Sequence, residues 1–196
     1  TILGQGAASV GSNMDDNVII GLTSGYNGNS VHFNKNVAVG NRSMYSIVDS
    51  KESVAIGYEA SYTDDGGENC TVGFKAAKYN HSIRLIAIGS YAGLNNNSWP
   101  NMFVGYNAGG QTTGTDNTYL GHNAGSAVTS GANNVSIGSG SMSQTTVTKN
   151  TGNHNVAVGY QALKALTSAQ FNIGIGKDAG LAVTTGSGNT LIGYHA

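Results

Sequence analysis

A short apolar–polar pattern recurs along the whole chain. It is an asparagine, three strand-like residues of which the outer two are mostly aliphatic, a glycine, and an alanine or serine three residues after the glycine. Asn155-Val156-Ala157-Val158-Gly159-Tyr160-Gln161-Ala162 is a representative copy. The glycine falls at Gly4, Gly21, Gly40, Gly57, Gly73, Gly89, Gly105, Gly121, Gly138, Gly159, Gly176 and Gly193, at intervals of 16 to 21 residues. Self-similarity at a near-constant period is the signature of a solenoid, in which each repeat packs only on its neighbours. A period this short predicts one coil of two short strands and two turns. Adjacent coils then pair as parallel strands ~4.8 Å apart, so one coil per glycine gives a rod roughly 50–60 Å long. The pattern therefore predicts an all-β fold, a parallel β-solenoid (β-roll) of about twelve coils of mostly 16–17 residues, with residues 1–196 as a single domain.

The columns of this repeat carry different expectations. The position four residues before the glycine is Asn except at Ser53 and Leu85, and predicts a ladder of side-chain amides that satisfies turn groups the sheet leaves unpaired. The Ala/Ser column predicts an inward corner where only a small side chain fits. Alternation places Val156 and Val158 on one face and Ala157 on the other. The aliphatic column before the glycine, with Ile137 and Val158 among its members, is expected to stack inside the coil. The middle position reads from Ala38 and Ala55 to Phe103 and Tyr119 without a single charge. It is expected to face away from its own coil and to be buried against another chain, in a homotrimer that supplies the apolar burial a thin coil lacks.

Composition narrows the functional classes. Charged residues make up 10% of the chain, the net charge is -1, and no Lys/Arg cluster exists. That excludes nucleic-acid binding driven by phosphate neutralisation. No apolar run approaches the ~20 residues of a membrane span, so membrane insertion is not expected. Cys70 is the only cysteine and reads as a small buried hydrophobe rather than a reactive thiol. Gly and Asn are expected to make the turns, since Pro100 is the only proline.

Ser53-Val54-Ala55-Ile56-Gly57-Tyr58-Glu59-Ala60 resembles the head repeat of trimeric autotransporter adhesins. The stretches 152–163 and 184–194 are more similar to the 16–17-residue repeats of phage tail fibres that precede a self-cleaving intramolecular chaperone. The resemblance implies a trimeric β-roll fibre in a virion tail fibre (alternatively on a bacterial cell surface), recognising a bacterial surface polysaccharide or an outer-membrane protein without cleaving it. Ala196 closes a repeat motif, where the cleaved end of such a fibre would be expected.

Candidate chemistry is sparse. Carboxylates cluster at Asp15-Asp16, Asp49/Glu52 and Asp64-Asp65/Glu68, in segments between motifs. No pair is held by a repeat column, so no catalytic residue is assigned and no enzyme activity is expected. Asp64 to Glu68 lacks the alternating spacing of a calcium loop, and the five histidines share no column, so no metal or cofactor is expected. The receptor-binding candidates are aromatic. Tyr26, Tyr45 and Tyr62 lie five residues after their glycines on consecutive coils, and Tyr79 is one position further on. Exposed tyrosines suit sugar rings, while the competing expectation is that in-frame rings cover a chain boundary. Trp99 in an Asn-rich turn and His32 in a longer coil complete the candidates, since insertions in a solenoid often form its binding face.

Overall fold

The computed structural model describes residues 1–8, 14–26, 32–98, 100–144 and 149–196. It is a parallel β-solenoid, with no helix among the described residues. Twelve strands stack in chain order into one parallel sheet, beginning with Ile2–Leu3 and Val18–Ile20 and ending with Ile173–Ile175 and Thr190–Ile192. The register is unbroken: Ile19 pairs Ala38, Ala38 pairs Ala55, and the same frame continues through Phe103, Tyr119, Ser136 and Ala157 to Leu191. Among the described residues, two smaller parallel sheets occur, both in the first half. One joins Ser46–Ile47, Thr63–Asp64 and Tyr79–Asn80; the other joins His32–Asn34 and Asp49–Lys51. The regular second strand per coil that the period predicts is thus confined to the N-terminal half.

The repeat glycine has a steric cause. Each adopts φ between +124° and +141°, and from Gly4 to Gly176 an added Cβ would run into the carbonyl of the next coil's glycine. Close backbone stacking and a disfavoured φ together admit only glycine there. The other corners are not left to Gly and Asn as expected. In one coil His154, Gln161 and Leu163 all sit at φ near +50°, and Glu52, Glu59, Arg84 and Phe171 do the same elsewhere. Left-handed backbone costs about 1–2 kcal/mol per ordinary residue. Hydrogen bonds to the coils above and below hold it in place, as where Gln161 N–H donates to Ser139 O at 3.0 Å and Leu163 N–H to Ala179 O at 2.9 Å.

The asparagine ladder is present. Each Oδ1 accepts from the next coil's backbone: Asn134 N–H donates to Asn117 (3.0 Å), Asn155 N–H to Asn134 (2.9 Å) and Asn172 N–H to Asn155 (3.0 Å). The same amides donate to turn carbonyls, Asn134 to Gly152 O and Asn155 to Ala169 O, both at 2.9 Å. Ser53 keeps the ladder, since its Oγ accepts from Asn69 N–H at 3.1 Å. The Ala/Ser column is fully buried from Ser24 to Ala179, as its small size requires.

Inside and outside are the reverse of the expectation for the strand. The middle column is the coil's own core: Ile19, Ala38, Ala55, Ala87, Phe103, Tyr119 and Ala157 are fully buried. The aliphatic columns on either side face outward, with Val18, Ile20, Ile56, Ile88, Leu120, Ile173 and Ile175 exposed. Cys70 is likewise on the outer face, beside Val54 and Ile86, and only partly buried. The middle column is uncharged because it fills the coil, and in several coils its size is offset by the residue six positions later. Phe103 and Tyr119 are followed by Gly109 and Gly125, where a Cβ would press into the ring; at Gly109 it would lie 2.5 Å from Phe103. In other coils a small middle residue has a large partner, as in Ala38 with Met44, Ser136 with Met142 and Ala157 with Leu163, all buried. Ala87 with Gly93 and Gly174 with Gly180 are small at both positions, and Phe103 and Leu163 of the adjacent coils reach into that space. Core volume is balanced within a coil or between neighbouring coils, as dense packing demands.

Candidate functional site

The structure leaves four surface features that sequence position assembles by stacking. The first is the outer face of the twelve-stranded sheet. Its two columns run Val18, Val37, Val54, Cys70, Ile86, Met102 and Ile20, Val39, Ile56, Val72, Ile88, Val104, then on through Leu120, Ile137, Val158 and Ile175, with no charge in either. Two columns about 10 Å wide along roughly 50 Å of rod give an apolar strip on the order of 500 Å², at the upper end of what a lone chain exposes.

The second feature is the tyrosine stripe. Tyr45 and Tyr62 immediately precede the strands Ser46–Ile47 and Thr63–Asp64, so the parallel register puts them one above the other. Tyr26 stacks on Tyr45 with centroids 5.1 Å apart, and Tyr45 on Tyr62 at 5.0 Å. The Lys78 ammonium covers the end of the stack, 5.2 Å from the Tyr62 centroid and 5.1 Å from that of Tyr79. Both faces of Tyr45 and Tyr62 are therefore spent on neighbouring rings and on Lys78. Beneath lies Glu59, buried and 2.7 Å from Lys78 Nζ, with Arg42 at 3.6 Å. Burial pushes the Glu59 carboxyl up, but hydrogen bonds from Lys78 and Tyr58 and the nearby Lys78 and Lys75 charges outweigh it and hold it below the ordinary range. Glu59 thus anchors the stripe's cations. His32 is not part of this stripe: it belongs to the two-stranded sheet, with its Nδ1 3.7 Å from Asp49. Trp99 lies outside the described residues.

The third feature is charged. Asp49, Glu52, Asp65 and Glu68 line a shallow cleft of about 320 Å³. Each has a basic partner: Glu52 meets Lys35 at 3.1 Å, Glu68 meets Arg84 at 2.9 Å, Asp65 meets His81 at 2.7 Å and Asp49 meets Lys51 at 3.6 Å. This is a column of exposed ion pairs. Among the described residues no three metal-ligating side chains converge. Asp64 differs from these acids, being fully enclosed between coils. Burial pushes its carboxyl up to about 7, against hydrogen bonds from Gly66 N–H, Ser50 Oγ and Asn69 Nδ2 that favour the anion. It has no access to a substrate and is a buried titrating group within the core.

A fourth arrangement follows the repeat glycine directly. Tyr58 stacks on Phe74 at 5.4 Å, and Tyr106 on His122 at 5.3 Å. These rings are exposed, Tyr106 at 50% and Tyr160 at 49%. Stacked in-frame aromatics are legible in the sequence; whether they offer faces or edges depends on their neighbours.

No protein-family model matches this chain, and neither does any curated protein or solved structure. No helix among the described residues is long and apolar enough to cross a membrane.

Proposed function

We propose that the chain is the rod of a homotrimeric receptor-binding fibre, of the kind found at phage tail-fibre tips, which attaches to a bacterial surface glycan or outer-membrane protein without cleaving it. The observation that carries this reading is the uncharged double column of Val, Ile and Leu along the outer sheet face. An apolar strip of that length on a rod finds its burial most simply against the same strip on parallel copies, and three copies closing around one axis leave none of it open. The motifs' likeness to tail-fibre repeats supplies the biological context, with a bacterial adhesin head as the alternative bearer of the same architecture. Three equivalent sites on one rigid shaft turn weak contacts into avidity.

Non-covalent attachment is supported by the acids of the charged cleft, Asp49, Glu52, Asp65 and Glu68, which are each paired with a base, and by Asp64, which is enclosed. A depolymerase would need two carboxyls flanking a bound sugar. Purified protein incubated with a panel of bacterial cells and their extracted polysaccharides tests the proposal. Saturable binding without release of reducing ends is the expected result. Release of reducing ends, or no binding to any bacterial surface, would overturn it.

A further inference from the structure

From Tyr58 to Tyr194 the aromatic column that follows the repeat glycine is interrupted in three places, and two of the interruptions are filled. Ser90 separates Phe74 from Tyr106, and Tyr91 fills that space, edge-on at 5.4 Å to Phe74 and 5.8 Å to Tyr106. Lys177 separates Tyr160 from Tyr194, and its ammonium lies 6.0 Å and 4.9 Å from the two rings. The third interruption is Ser139, between His122 and Tyr160. The next residue is Gly140, which has no ring to offer, and among the described residues no other aromatic ring stacks there. Tyr106 stacks on His122 from the coil before and Lys177 lies by Tyr160 from the coil after, so among the described residues no ring or cation reaches either from the gap side. The polar group against His122 is Asn123 Nδ2, 3.2 Å from Nδ1 and 3.5 Å from Nε2. Two coil steps separate the rings by about 10 Å. A flat ring placed midway sits about 5 Å from each, within the centroid range of stacked rings.

This gap is part of a groove of about 620 Å³, a volume usual for a ligand site. Its polar lining is mainly amide and hydroxyl, including Gln111, Asn123, Gln161 and Thr129. Its only charged lining residues are Lys149 and Lys164. The walls are held in place: Gln161 Nε2 donates to the Tyr160 hydroxyl at 3.0 Å, and Asn107 Nδ2 donates to Asn123 Oδ1 at 2.9 Å. The floor is locked as well, with Gly140 N–H donating to His122 O at 2.9 Å.

We propose that the slot between His122 and Tyr160 binds one pyranose ring of an acidic glycan. The inference rests on the reading of the chain as a surface-binding fibre and names its ligand class. A pyranose has an apolar face for each ring and a rim of hydroxyls for the surrounding amides. An aromatic side chain from a protein receptor would fill the slot but leave those amides without partners. Two lysines with no acid among the lining residues select a carboxylate on the sugar. The absence of acids from that lining also gives the groove no pair for glycoside cleavage.

The test uses the purified chain against short oligosaccharides of hyaluronan, alginate and polysialic acid, their carboxyl-reduced forms, and tryptophan-containing peptides, with whole-cell binding in parallel. The wild type is expected to bind an acidic probe about tenfold or more tightly than its reduced form. Ser139→Phe, which fills the slot as Tyr91 fills the other, is expected to weaken that binding by about tenfold or more while leaving circular dichroism and melting unchanged. Lys164→Ala should erase the preference for the acidic form, and Ser90→Ala should change nothing. Wild-type-like binding by folded Ser139→Phe, equal binding of reduced probes, binding of peptides alone, or binding of no probe would each overturn the slot assignment. Cell binding separates the two ideas: cells bound equally by Ser139→Phe leave the fibre reading intact without the slot. Probes bound without any cells being bound leave the slot intact without the fibre reading.

Discussion

The two halves of the rod solve the same packing problem differently. In the N-terminal half the interior is filled by small residues such as Ala38, Ala55 and Thr71, with bulk from Met44 and Ile47, and extra strands close the coil. Polar groups enter the core there, above all Asp64 with Asn69 and Asn80 around it. In the C-terminal half no extra sheet forms among the described residues, and the core is made by Phe103, Tyr119, Leu163 and Leu166 against glycine and alanine. The lesson is that strand pairing and core bulk substitute for each other once the glycine and asparagine columns fix the coil-to-coil spacing. The surfaces follow suit: ion pairs and stacked tyrosines in the first half, an amide-lined groove in the second.

Removing bulk should hurt most where bulk is the main support. Tyr119→Ala is expected to lose about 4 kcal/mol in chemical denaturation, because Gly125 leaves nothing to collapse into the cavity. A loss below 1 kcal/mol would mean that the aromatic pair is not the core of this half.

Asp64 should give the N-terminal half a pH dependence that its partner half lacks. Its folded-state value near 7 lies above the ordinary 3.8, so folding takes up a proton between those values. Stability is then highest below about pH 4, falls as pH rises to about 7, and is level above, by on the order of 4 kcal/mol in all. Glu59 acts in the opposite sense, since its lowered value gives stability that is lost as pH falls through it. Asp64→Asn should remove the downward slope between pH 4 and 7; an unchanged slope would place its origin elsewhere.

The size pairing can be transplanted. Ala55→Phe alone should cost about 2 kcal/mol by overpacking against Ser61. Adding Ser61→Gly should recover much of it, by analogy with Phe103 and Gly109. If the two changes are simply additive, the six-residue pairing is not a packing rule. The smallest effect is expected at the surface: Tyr45→Ala should cost about 1 kcal/mol, the worth of its stacking, in thermal or chemical melts.

The sequence made the architecture plain, because the glycine frame and the Asn column are fixed by backbone contact and do not depend on side-chain context. Inside and outside were misassigned because aliphatic residues were equated with core. The contrary signal was present in the alternation of Phe103 with Gly109 and Ala157 with Leu163, which only an interior column needs. At the surface, the frame of Tyr26, Tyr45 and Tyr62 was legible, but not that Lys78 would close their stack. The open slot at Ser139 becomes visible only beside the filled ones at Ser90 and Lys177, which requires knowing where Tyr91 and the Lys177 ammonium go.

The central claim is that the outer aliphatic face joins copies of the chain while the middle column holds each coil together. The most direct measurement is the solution mass of the wild type and of Ile137→Asp by analytical ultracentrifugation, with circular dichroism and thiol labelling of Cys70 on the same samples. The account predicts three 20.0 kDa chains per particle with Cys70 protected in the wild type, and a folded β-rich monomer with reactive Cys70 in the variant. A monomeric wild type, a trimeric variant, or a variant that is unfolded would contradict it.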